Sequence, residues 1–347
     1  MPSTLKSLKK RLNIRPVNTG KKFITSIGLV HDDIEGLHAV TGLTGCVHFR
    51  SGTEMSTVHY RGQVEDYPYC VSTLDRCHTQ KDQFLSILRA IVFEELLEKH
   101  PFIEITKNTH FVDAPICVDK TAIAQHYGLH TNFIDTTSSF DVASFFATCR
   151  WLDKDQKFSP VSSSRKPGVI YKINEMFMPP YVNNDDSIKS EFVYIGWQPL
   201  PRPKQQRANA VKMAKGESFD KISSVKKYHF KHSLKYSQKI YKKFKGGSVI
   251  FPKDSAADLA DQCKKLLNFT YQQIETGIKR YEDWSGDLTD EERKKQLIDS
   301  SNITIAKECE LTWDKLLDTD QQFWENKLEE TLKTVRCRMT SPHIITD

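Results

Sequence analysis

The clearest pattern of apolar and polar positions in the chain is a helical period between Thr79 and His100. Pro101 follows directly, and its ring is incompatible with the interior of a helix. The pattern therefore predicts a long amphipathic helix that ends at His100. Its apolar residues recur at spacings of three and four, which places them on one helix face; they are Phe84, Ile87, Leu88, Ile91, Leu96 and Leu97.

A strand-like alternation precedes this helix. Residues 47–63, VHFRSGTEMSTVHYRGQ, alternate and are rich in Val, Thr, Tyr and Phe, which predicts two strands joined as a hairpin that turns at Ser51 and Gly52. The sequences NFI, GVIYKI and SEFVYIGW predict further strands over residues 132–134, 168–173 and 190–197.

Capping signals predict two shorter helices on either side of the NFI strand. One runs from Lys120 to Tyr127 and ends at Gly128, since glycine readily adopts the left-handed conformation that closes a helix. The other begins after Ser138 or Ser139, either of which can act as its N-cap.

The remaining segments complete the pattern. The proline-containing residues 198–207 are predicted as an extended connection, and residues 256–281 as helical. Residues 287–338 are predicted to be helical and amphipathic, with an apolar face that forms a core contact or a dimer contact. The apolar residues of this face are Leu311, Trp313, Leu316, Leu317, Phe323, Trp324, Leu328 and Leu332.

Together these elements predict an α+β fold with a central mixed or antiparallel sheet, flanking helices and a helical C-terminal extension. The predicted divisions are a basic N-terminal arm over residues 1–22, an α+β domain over residues 23–285 and the extension over residues 286–347. The basic segment is expected to be a mobile arm or an amphipathic first helix.

Composition changes this picture little. Hydrophobic residues make up 38% of the chain and charged residues 27%, which argues against global disorder. The formal net charge of +6 favours acidic partners without requiring them. Apolar runs stay well short of the about 20 residues that a membrane span needs, and the first residues lack the apolar stretch of a secretory signal. We therefore expect a cytoplasmic protein with no membrane partner.

Eight cysteines are scattered along the chain, without a C-x-x-C pair or a cysteine–histidine cluster at the spacing of zinc ligands. We expect them to be reduced and mostly buried, and we expect no metal site. They are Cys46, Cys70, Cys77, Cys117, Cys149, Cys263, Cys309 and Cys337.

The sequence HYRGQ, residues 59–63, places a permanent cation in the middle of a predicted strand. An unpaired guanidinium is costly to bury, and its planar fork suits phosphate and carboxylate oxygens. Arg61 therefore either forms an ion pair with Glu65 or Asp66, or binds an anion from outside the chain. Gly62 beside it would let such a ligand approach the backbone closely.

A second polar group of residues lies in HYGLHTNFIDTTSS, residues 126–139. Its hydroxyl groups precede a predicted helix N-terminus, where free backbone N–H groups can bind an anion. Ordinary structural roles exist as well, because a serine can cap the helix, Asp135 can stabilise a turn, and His126 can be half-buried with its hydrogen bonds satisfied. The residues alone leave both interpretations open.

The two motifs together resemble the FRG domain family, named for its aromatic-Arg-Gly strand. HYRGQ resembles that strand. AQHYGLHTNFIDTTSSFDVASFFA, residues 124–147, resembles the family's second signature, a His-Tyr-Gly-Leu run followed by an Asp-x-Thr turn and a Phe-Phe-Ala helix. Arg76, at the end of STLDR, matches an arginine that precedes the family's first long helix. The resemblance runs from about Phe23 to about Leu267.

The family's arrangement is similar to that of ADP-ribosyltransferases, which implies an NAD-dependent ADP-ribosyltransferase-like or NAD-cleaving enzyme in a bacterial toxin or phage-conflict role. The resemblance implies that Arg61 holds the pyrophosphate or ribose and that Tyr127 stacks on nicotinamide. The implied catalytic residues are Arg61, His126 and Glu217. The implied residues that bind NAD are Tyr60, Arg61, Gly62, Gln63, Tyr127, Asp135, Thr136 and Ser138.

The sequence departs from the family pattern in two places. Ala214 and Lys215 stand where relatives commonly have Gln before a Gly-x-Phe element, and Asn132 stands where arginine is usual. Breaking a C–N glycosidic bond needs a negative group near the developing ribosyl cation. The sequence leaves open whether Glu217 or Glu191 supplies it.

Residues 202–245 support a different function, a non-catalytic module that binds a nucleotide or a nucleic acid. They are rich in Lys and Arg and contain aromatic residues, a mixture typical of single-strand binding. The plainer interpretation is a solvated surface whose aromatic residues point into the core. Further expected partners are a protein acceptor and a second copy of the chain, bound through the C-terminal helices. The aromatic residues are Tyr228, Phe230, Tyr236, Tyr241 and Phe244.

Overall fold

A computed structural model describes residues 3–12, 14, 21–25, 28–41, 45–53, 57–162, 166–178, 189–288, 290–309, 311–313 and 321–337. The helices are α1 (Leu5–Arg11), α2 (Gln80–Glu98), α3 (Pro101–Lys107), α4 (Lys120–His126), α5 (Phe140–Thr148), α6 (Pro201–Gln206), α7 (Leu234–Lys243), α8 (Ser255–Cys263), α9 (Tyr271–Ser285), α10 (Glu291–Ser300) and α11 (Gln321–Lys333). Among them, none is both long and apolar enough to cross a membrane.

The strands of the described residues complete a mixed α+β fold, as the sequence predicts. They are β1 (Ser3–Thr4), β2 (Lys21–Thr25), β3 (Gly28–Thr41), β4 (Val47–Thr53), β5 (Val58–Gln63), β6 (His110–Phe111), β7 (Ala114–Pro115), β8 (Phe133–Thr137), β9 (Cys149–Leu152), β10 (Lys157–Pro160), β11 (Gly168–Asn174), β12 (Glu191–Tyr194), β13 (Ala208–Lys212), β14 (Val225–Lys231), β15 (Asn268–Thr270), β16 (Thr304–Ala306) and β17 (Val335–Arg336).

Seven strands form the central sheet, in the order β1-β14-β11-β5-β8-β13-β12. Neighbouring strands are antiparallel except β1 and β14, which are parallel. The strand that carries HYRGQ, β5, lies in the middle. Tyr60 and Ile170 on one face pack against α1 and α5. Tyr171, Ile134 and Val211 on the other face belong to a second apolar cluster.

Gly62 marks the closest approach of α5 to the sheet. A Cβ atom at this position would lie 1.9 Å from the main-chain oxygen of Ala143 and 2.8 Å from the main-chain nitrogen of Ala147. Because both atoms belong to the backbone of a helix, only a residue without a side chain fits. The predicted approach of a ligand to Gly62 is therefore wrong: α5 occupies that space.

The helix predicted over residues 79–100 is α2. Thr79 is its N-cap and accepts a hydrogen bond from the main-chain nitrogen of Asp82 at 3.1 Å. α2 contacts α4, α8, α9 and α10, so it is buried around most of its circumference and not on one face only. The indole nitrogen of Trp313 donates to the main-chain oxygen of Leu96 at 2.6 Å, which joins the C-terminal segment to this core.

A second sheet contains β2, β3, β4 and β17. In the register of β3 with β4, Ser51 pairs with Leu37 and Gly52 pairs with Asp33. Both residues predicted to turn therefore lie within a strand. The predicted hairpin between β4 and β5 is wrong, since the two strands belong to different sheets. Trp324 of α11 is buried against this second sheet, so its predicted apolar face forms a core contact.

The two ends of the chain are also better defined by the structure. Leu5 and Leu8 of α1 are buried, which favours an amphipathic first helix over a mobile arm for the described part of residues 1–22; residues 1–2, 13 and 15–20 lie outside it. Strands β16 and β17 interrupt the predicted C-terminal helix. Leu316 and Leu317 lie outside the described residues.

Two predictions within the domain are corrected. Residues 201–206 form α6 and not an extended connection, because Pro201 occupies the first helical position, where its missing N–H group is not needed. The helix predicted over residues 256–281 is divided into α8 and α9 by β15, which pairs in parallel with β16.

One pair of cysteines differs from expectation. Cys46 and Cys117 form a disulfide between residues 71 positions apart, with a Cα–Cα distance of 5.3 Å. The prediction that all the cysteines are reduced is therefore wrong for this pair. Cys70, Cys149 and Cys263 are buried free thiols, as predicted.

Candidate functional site

The strands β5 and β8 part in the middle of the central sheet. They share one residue pair, Tyr60 with Thr137, whereas β5 pairs with β11 at six positions and β8 pairs with β13 at five. Arg61 on β5 and the consecutive residues Asp135 and Thr136 on β8 lie where the two strands separate. We refer to these three residues and the gap between them as the opening.

Arg61 bridges the opening through a hydrogen bond to the main chain of β8. Its Nη1 atom donates to the main-chain oxygen of Asp135 at 2.8 Å, and its Nε atom is buried without a hydrogen-bond partner. The two carboxylates considered as its partners are engaged elsewhere: Glu65 binds Arg150, and Asp66 binds a lysine and a histidine of β14. Among the described residues Arg61 has no carboxylate within ion-pairing distance.

Other polar atoms at the opening also lack partners. Asp135 Oδ1 and Thr136 Oγ1 are buried and have no hydrogen-bond partner in the described part of the chain, and such atoms cost about 1–3 kcal/mol each when they stay unsatisfied. Arg76 lies near enough that desolvation and then the charge of Arg61 lower the pKa of its guanidinium, while Asp135 acts in the opposite direction. The opening therefore offers both donors and acceptors, with a surplus of positive charge.

Gln125 of α4 holds the β8 side of the opening and was not singled out by the sequence. Its Nε2 atom donates to Asp135 Oδ2 at 3.1 Å. Its Oε1 atom accepts from the hydroxyls of Thr131 at 2.6 Å and Thr73 at 3.3 Å. The available signal was its position directly before His126 in the AQHYG motif.

A cleft of about 890 Å³ begins at Thr131, on the far side of Gln125 from the opening. Its lining includes Glu191 and Glu217, the two candidate carboxylates, but not the guanidinium of the opening. Glu217 is half-buried and accepts a hydrogen bond from the Ser190 hydroxyl, whereas Glu191 is exposed. The pocket predicted as one space is thus two adjacent parts.

His126 and Tyr127 lie apart from the opening, against α6 and α8. Tyr127 is 1% exposed, its hydroxyl donates to Asp254, and the guanidinium of Arg202 lies 4.3 Å from the ring centre. No ring face is open to a ligand, so the nicotinamide stacking that the resemblance implied is wrong. His126 Nδ1 is hydrogen-bonded to Gln206 at 3.0 Å, and its Nε2 is buried and unpaired.

The other residues predicted to bind NAD have partners within the protein. Ser139, and not Ser138, is the N-cap of α5. Ser138 donates to the main-chain oxygen of Ser51 at 3.1 Å. Tyr60 is buried against α5, and Gln63 accepts a hydrogen bond from a buried tyrosine of β11 at 3.1 Å.

The residues of the opening lie in a part of the chain that matches a known family. A family model described as the FRG domain matches residues 56–156. The chain contains an FRG domain. The matched region includes all of the residues that form the opening and Gln125, whereas Glu191 and Glu217 follow it in the chain. No curated protein and no solved structure matches the chain significantly.

A buried hydrogen bond between His59 and Glu175 supports the FRG strand β5 on the face that carries Arg61. His59 Nε2 lies 2.5 Å from Glu175 Oε2, and Asn209 Nδ2 lies 3.2 Å from His59 Nδ1. Burial lowers the pKa of His59. Burial alone would raise the pKa of Glu175, but the His59 hydrogen bond and the charge of Arg50 lower it. These pKa shifts favour a neutral His59 imidazole, whose Nε2–H group donates to the Glu175 carboxylate. This hydrogen bond fixes β5 on the face that carries Arg61.

The basic segment after the FRG domain is divided among α6, β13, β14 and α7. Its aromatic residues face the core: Phe230 is 0% and Phe244 7% exposed, and the three tyrosines pack against the same clusters. The predicted combination of phosphate contact with base stacking therefore lacks exposed aromatic platforms here. The plainer interpretation of these aromatic residues is confirmed.

Proposed function

We propose that the chain binds an NAD-type dinucleotide at the opening and cleaves its nicotinamide–ribose bond, as an ADP-ribosyltransferase-like or NAD-cleaving enzyme. In this proposal the central sheet is an ADP-ribosyltransferase-like core in which β5 and β8 are the two parting strands. The setting that the family resemblance suggests is a bacterial toxin or a phage-conflict system.

The observation that carries the proposal is the free charge of Arg61. A guanidinium in the central sheet, with an unpaired Nε and without a carboxylate partner among the described residues, is suited to a diphosphate oxygen. Arg76 supplies a second cation nearby. Thr136 lies on the same face of the sheet as Asn209, which contacts His59 on the face of β5 that carries Arg61. Thr136 Oγ1 can therefore accept from a ribose hydroxyl, which would satisfy this buried atom.

The adjoining cleft contains the carboxylate that we propose for the bond-breaking step. Its volume of about 890 Å³ lies within the range of small-molecule sites. When the C–N bond breaks, nicotinamide leaves with the bonding electron pair, and a positive charge develops on the ribose. Glu217, oriented by the Ser190 hydroxyl, is the better placed carboxylate to stabilise that charge. Water or an acceptor nucleophile then adds to the ribose carbon and loses a proton.

Incubation of the purified chain with NAD tests the proposal. We expect free nicotinamide by chromatography, together with free ADP-ribose or an ADP-ribosylated acceptor by mass spectrometry. NAD-dependent thermal stabilisation without nicotinamide release would support a binding module in place of the enzyme. If NAD causes neither nicotinamide release nor thermal stabilisation, both the enzyme and the binding module are refuted.

A second candidate function, nucleic-acid binding, has its own observation. Residues 225–245 contain eight lysines and no acidic residue, and α1 adds four basic residues in seven. The parallel pairing of β1 with β14 brings the two segments together, and Asp141 binds both Lys9 of α1, at 2.5 Å, and Lys243 of α7. The result is one basic face suited to phosphate contacts without base stacking.

Fluorescence anisotropy with a single-stranded oligonucleotide tests this face. We expect affinity that falls steeply with salt, and weaker binding when Lys239→Glu and Lys242→Glu are combined. Lys295→Glu, an exposed lysine of α10, is the matched control. Equal losses in the control and the double variant would refute a localised face.

A further inference from the structure

Three potential metal ligands, two of them close together in the sequence and the third 71 positions after the first, meet at the edge of the second sheet. The ligand atoms of Cys46, His48 and Cys117 all lie within 4.8 Å of one another. Cys46 and His48 flank the first residue of β4, and Cys117 lies in the loop before α4. Sequence spacing concealed the group, because 71 positions separate the two cysteines.

The backbone fixes this arrangement independently of the disulfide. The main-chain nitrogen of Cys117 donates to the main-chain oxygen of Val47 at 2.9 Å, and Val47 forms an isolated parallel bridge with Ile116. The main-chain oxygen of Cys117 accepts from Gln198 Nε2 at 3.4 Å. The two cysteines are therefore held together in either oxidation state.

His48 supplies the second observation that indicates a ligand. Among the residues that the structure describes, its buried Nδ1 atom has no hydrogen-bond partner, and an imidazole nitrogen with a free lone pair is a common metal ligand. Arg50, two residues along β4, lies 3.5 Å from Glu175, so a carboxylate compensates the nearest positive charge on the strand.

We propose that Cys46, Cys117 and His48 bind a Zn²⁺ ion when the disulfide is reduced. Two thiolates and one imidazole are a donor set that zinc prefers, and Cys46 and His48 are half-buried, which leaves access for a water molecule as the fourth ligand. Tetrahedral binding at a Zn–S distance of about 2.3 Å requires the sulfurs to be roughly 3.8 Å apart. Opening the S–S bond allows that separation.

The chemical steps balance with a phosphine as the reductant. The phosphorus atom gives an electron pair to the disulfide, which breaks the S–S bond. The phosphine takes up the oxygen of a water molecule and becomes a phosphine oxide, and the two protons of that water convert both sulfurs to thiols. Zn²⁺ then replaces the two thiol protons, which are released to solvent. Either the disulfide or the zinc ion thus ties β4 to the segment that leads into α4 and Gln125.

Zinc binding by the intact chain tests the proposal. The protein is reduced with a phosphine, equilibrated with Zn²⁺, freed of excess metal, and analysed for bound zinc by mass spectrometry. We expect about one zinc ion per chain, lost in Cys46→Ser and in Cys117→Ser and reduced in His48→Ala. Cys77→Ser is the matched control, because Cys77 also lies beside a histidine, with its sulfur 3.2 Å from His130 Nδ1, and this variant should retain its zinc.

Co²⁺ substitution of the wild-type chain provides a readout that does not depend on folded variants. We expect a thiolate-to-cobalt charge-transfer band that appears only after reduction and that Zn²⁺ removes. Absence of the band, or zinc content that is the same in the wild type and in Cys46→Ser, would overturn the proposal. Loss of zinc in Cys77→Ser with retention in Cys46→Ser would do so as well.

Discussion

Arg61 Nη1 donates to the main-chain oxygen of Asp135 at 2.8 Å, across the gap between β5 and β8. The acceptor is a neutral carbonyl, so the bond positions the guanidinium without neutralising its charge. It also holds the two FRG signatures at a fixed separation, one on each strand. A cation that is oriented but not compensated is what an anion-binding site requires.

Arg61→Ala is expected to remove the anion contact. Loss of one charge-assisted hydrogen bond, about 1.5–3 kcal/mol, corresponds to a roughly 10- to 100-fold loss of NAD affinity or turnover. The fold should persist, since Arg61 is only half-buried. Nicotinamide release and the melting temperature measure both effects. Arg150→Ala, which removes a more exposed arginine paired with Glu65, is the control; equal turnover in wild type and Arg61→Ala would exclude the proposed role.

Glu217→Gln should separate the two candidate carboxylates. Glu217 is half-buried in the cleft and bound by Ser190, whereas Glu191 is exposed. Loss of a negative charge beside the developing ribosyl cation should lower kcat about 100-fold or more with little change in KM. Steady-state nicotinamide release gives both constants. Glu191→Gln should resemble the wild type, and the reverse ranking of the two variants would assign the role to Glu191.

Gln125→Ala should disturb the opening through Asp135. The substitution removes a donor to Oδ2 and leaves the hydroxyl of Thr131 without its acceptor, whereas the Thr73 hydroxyl keeps the main-chain oxygen of Thr131. We expect a loss of about 1–3 kcal/mol in the free energy of unfolding, measured by urea denaturation, together with weaker NAD binding. Gln198→Ala removes another buried amide and should lower stability without affecting NAD. Identical NAD binding in both variants would contradict a positioning role for Gln125.

Gly62→Ala should be among the most damaging single substitutions. Its Cβ atom would lie 1.9 Å from the main-chain oxygen of Ala143, so α5 would have to move away from β5. We expect a loss of at least about 3 kcal/mol in unfolding free energy, or insoluble protein on expression. Gly216→Ala has a positive φ of 77° but open space around it, and should cost about 1 kcal/mol. Similar stabilities would contradict the packing argument.

Acid should destabilise the fold through buried histidines. His100 is 2% exposed, and burial followed by the charge of Lys327 lowers its pKa to about 4 from 6.5. A group whose pKa is lower in the folded state contributes fully above its unfolded pKa and loses that contribution as pH falls. Between pH 6.5 and 4, the loss from this group is about 3 kcal/mol.

Urea denaturation at a series of pH values measures this dependence. His100→Asn keeps an acceptor at the N-cap of α3 and should flatten the slope, whereas His110→Asn, at an exposed position, should not. A slope unchanged by His100→Asn would assign the acid sensitivity to other groups, such as His59.

Local chemistry explains which parts could be predicted. The cap at Thr79 and the close of α4 before Gly128 depend on neighbouring residues, so their signals survive in the sequence. The prediction of a hairpin at Ser51 and Gly52 was wrong, because an alternating pattern identifies strands but not the strands with which they pair. The prediction that Tyr127 stacks on nicotinamide was wrong for a similar reason. Arg202, 75 positions further along the chain, covers the tyrosine ring, and no local sequence pattern records that contact.

The sequence by itself determined the FRG signature, the long helix and the presence of a cation in a strand, since each is a property of residues close together in the chain. Only the tertiary structure decided that β5 and β8 part at Arg61, that Gln125 supports Asp135, and that Cys117 meets Cys46 and His48. Those relationships depend on the order of strands in the sheet and on how loops cross it. Many distant apolar contacts fix that order together, and no single segment specifies it.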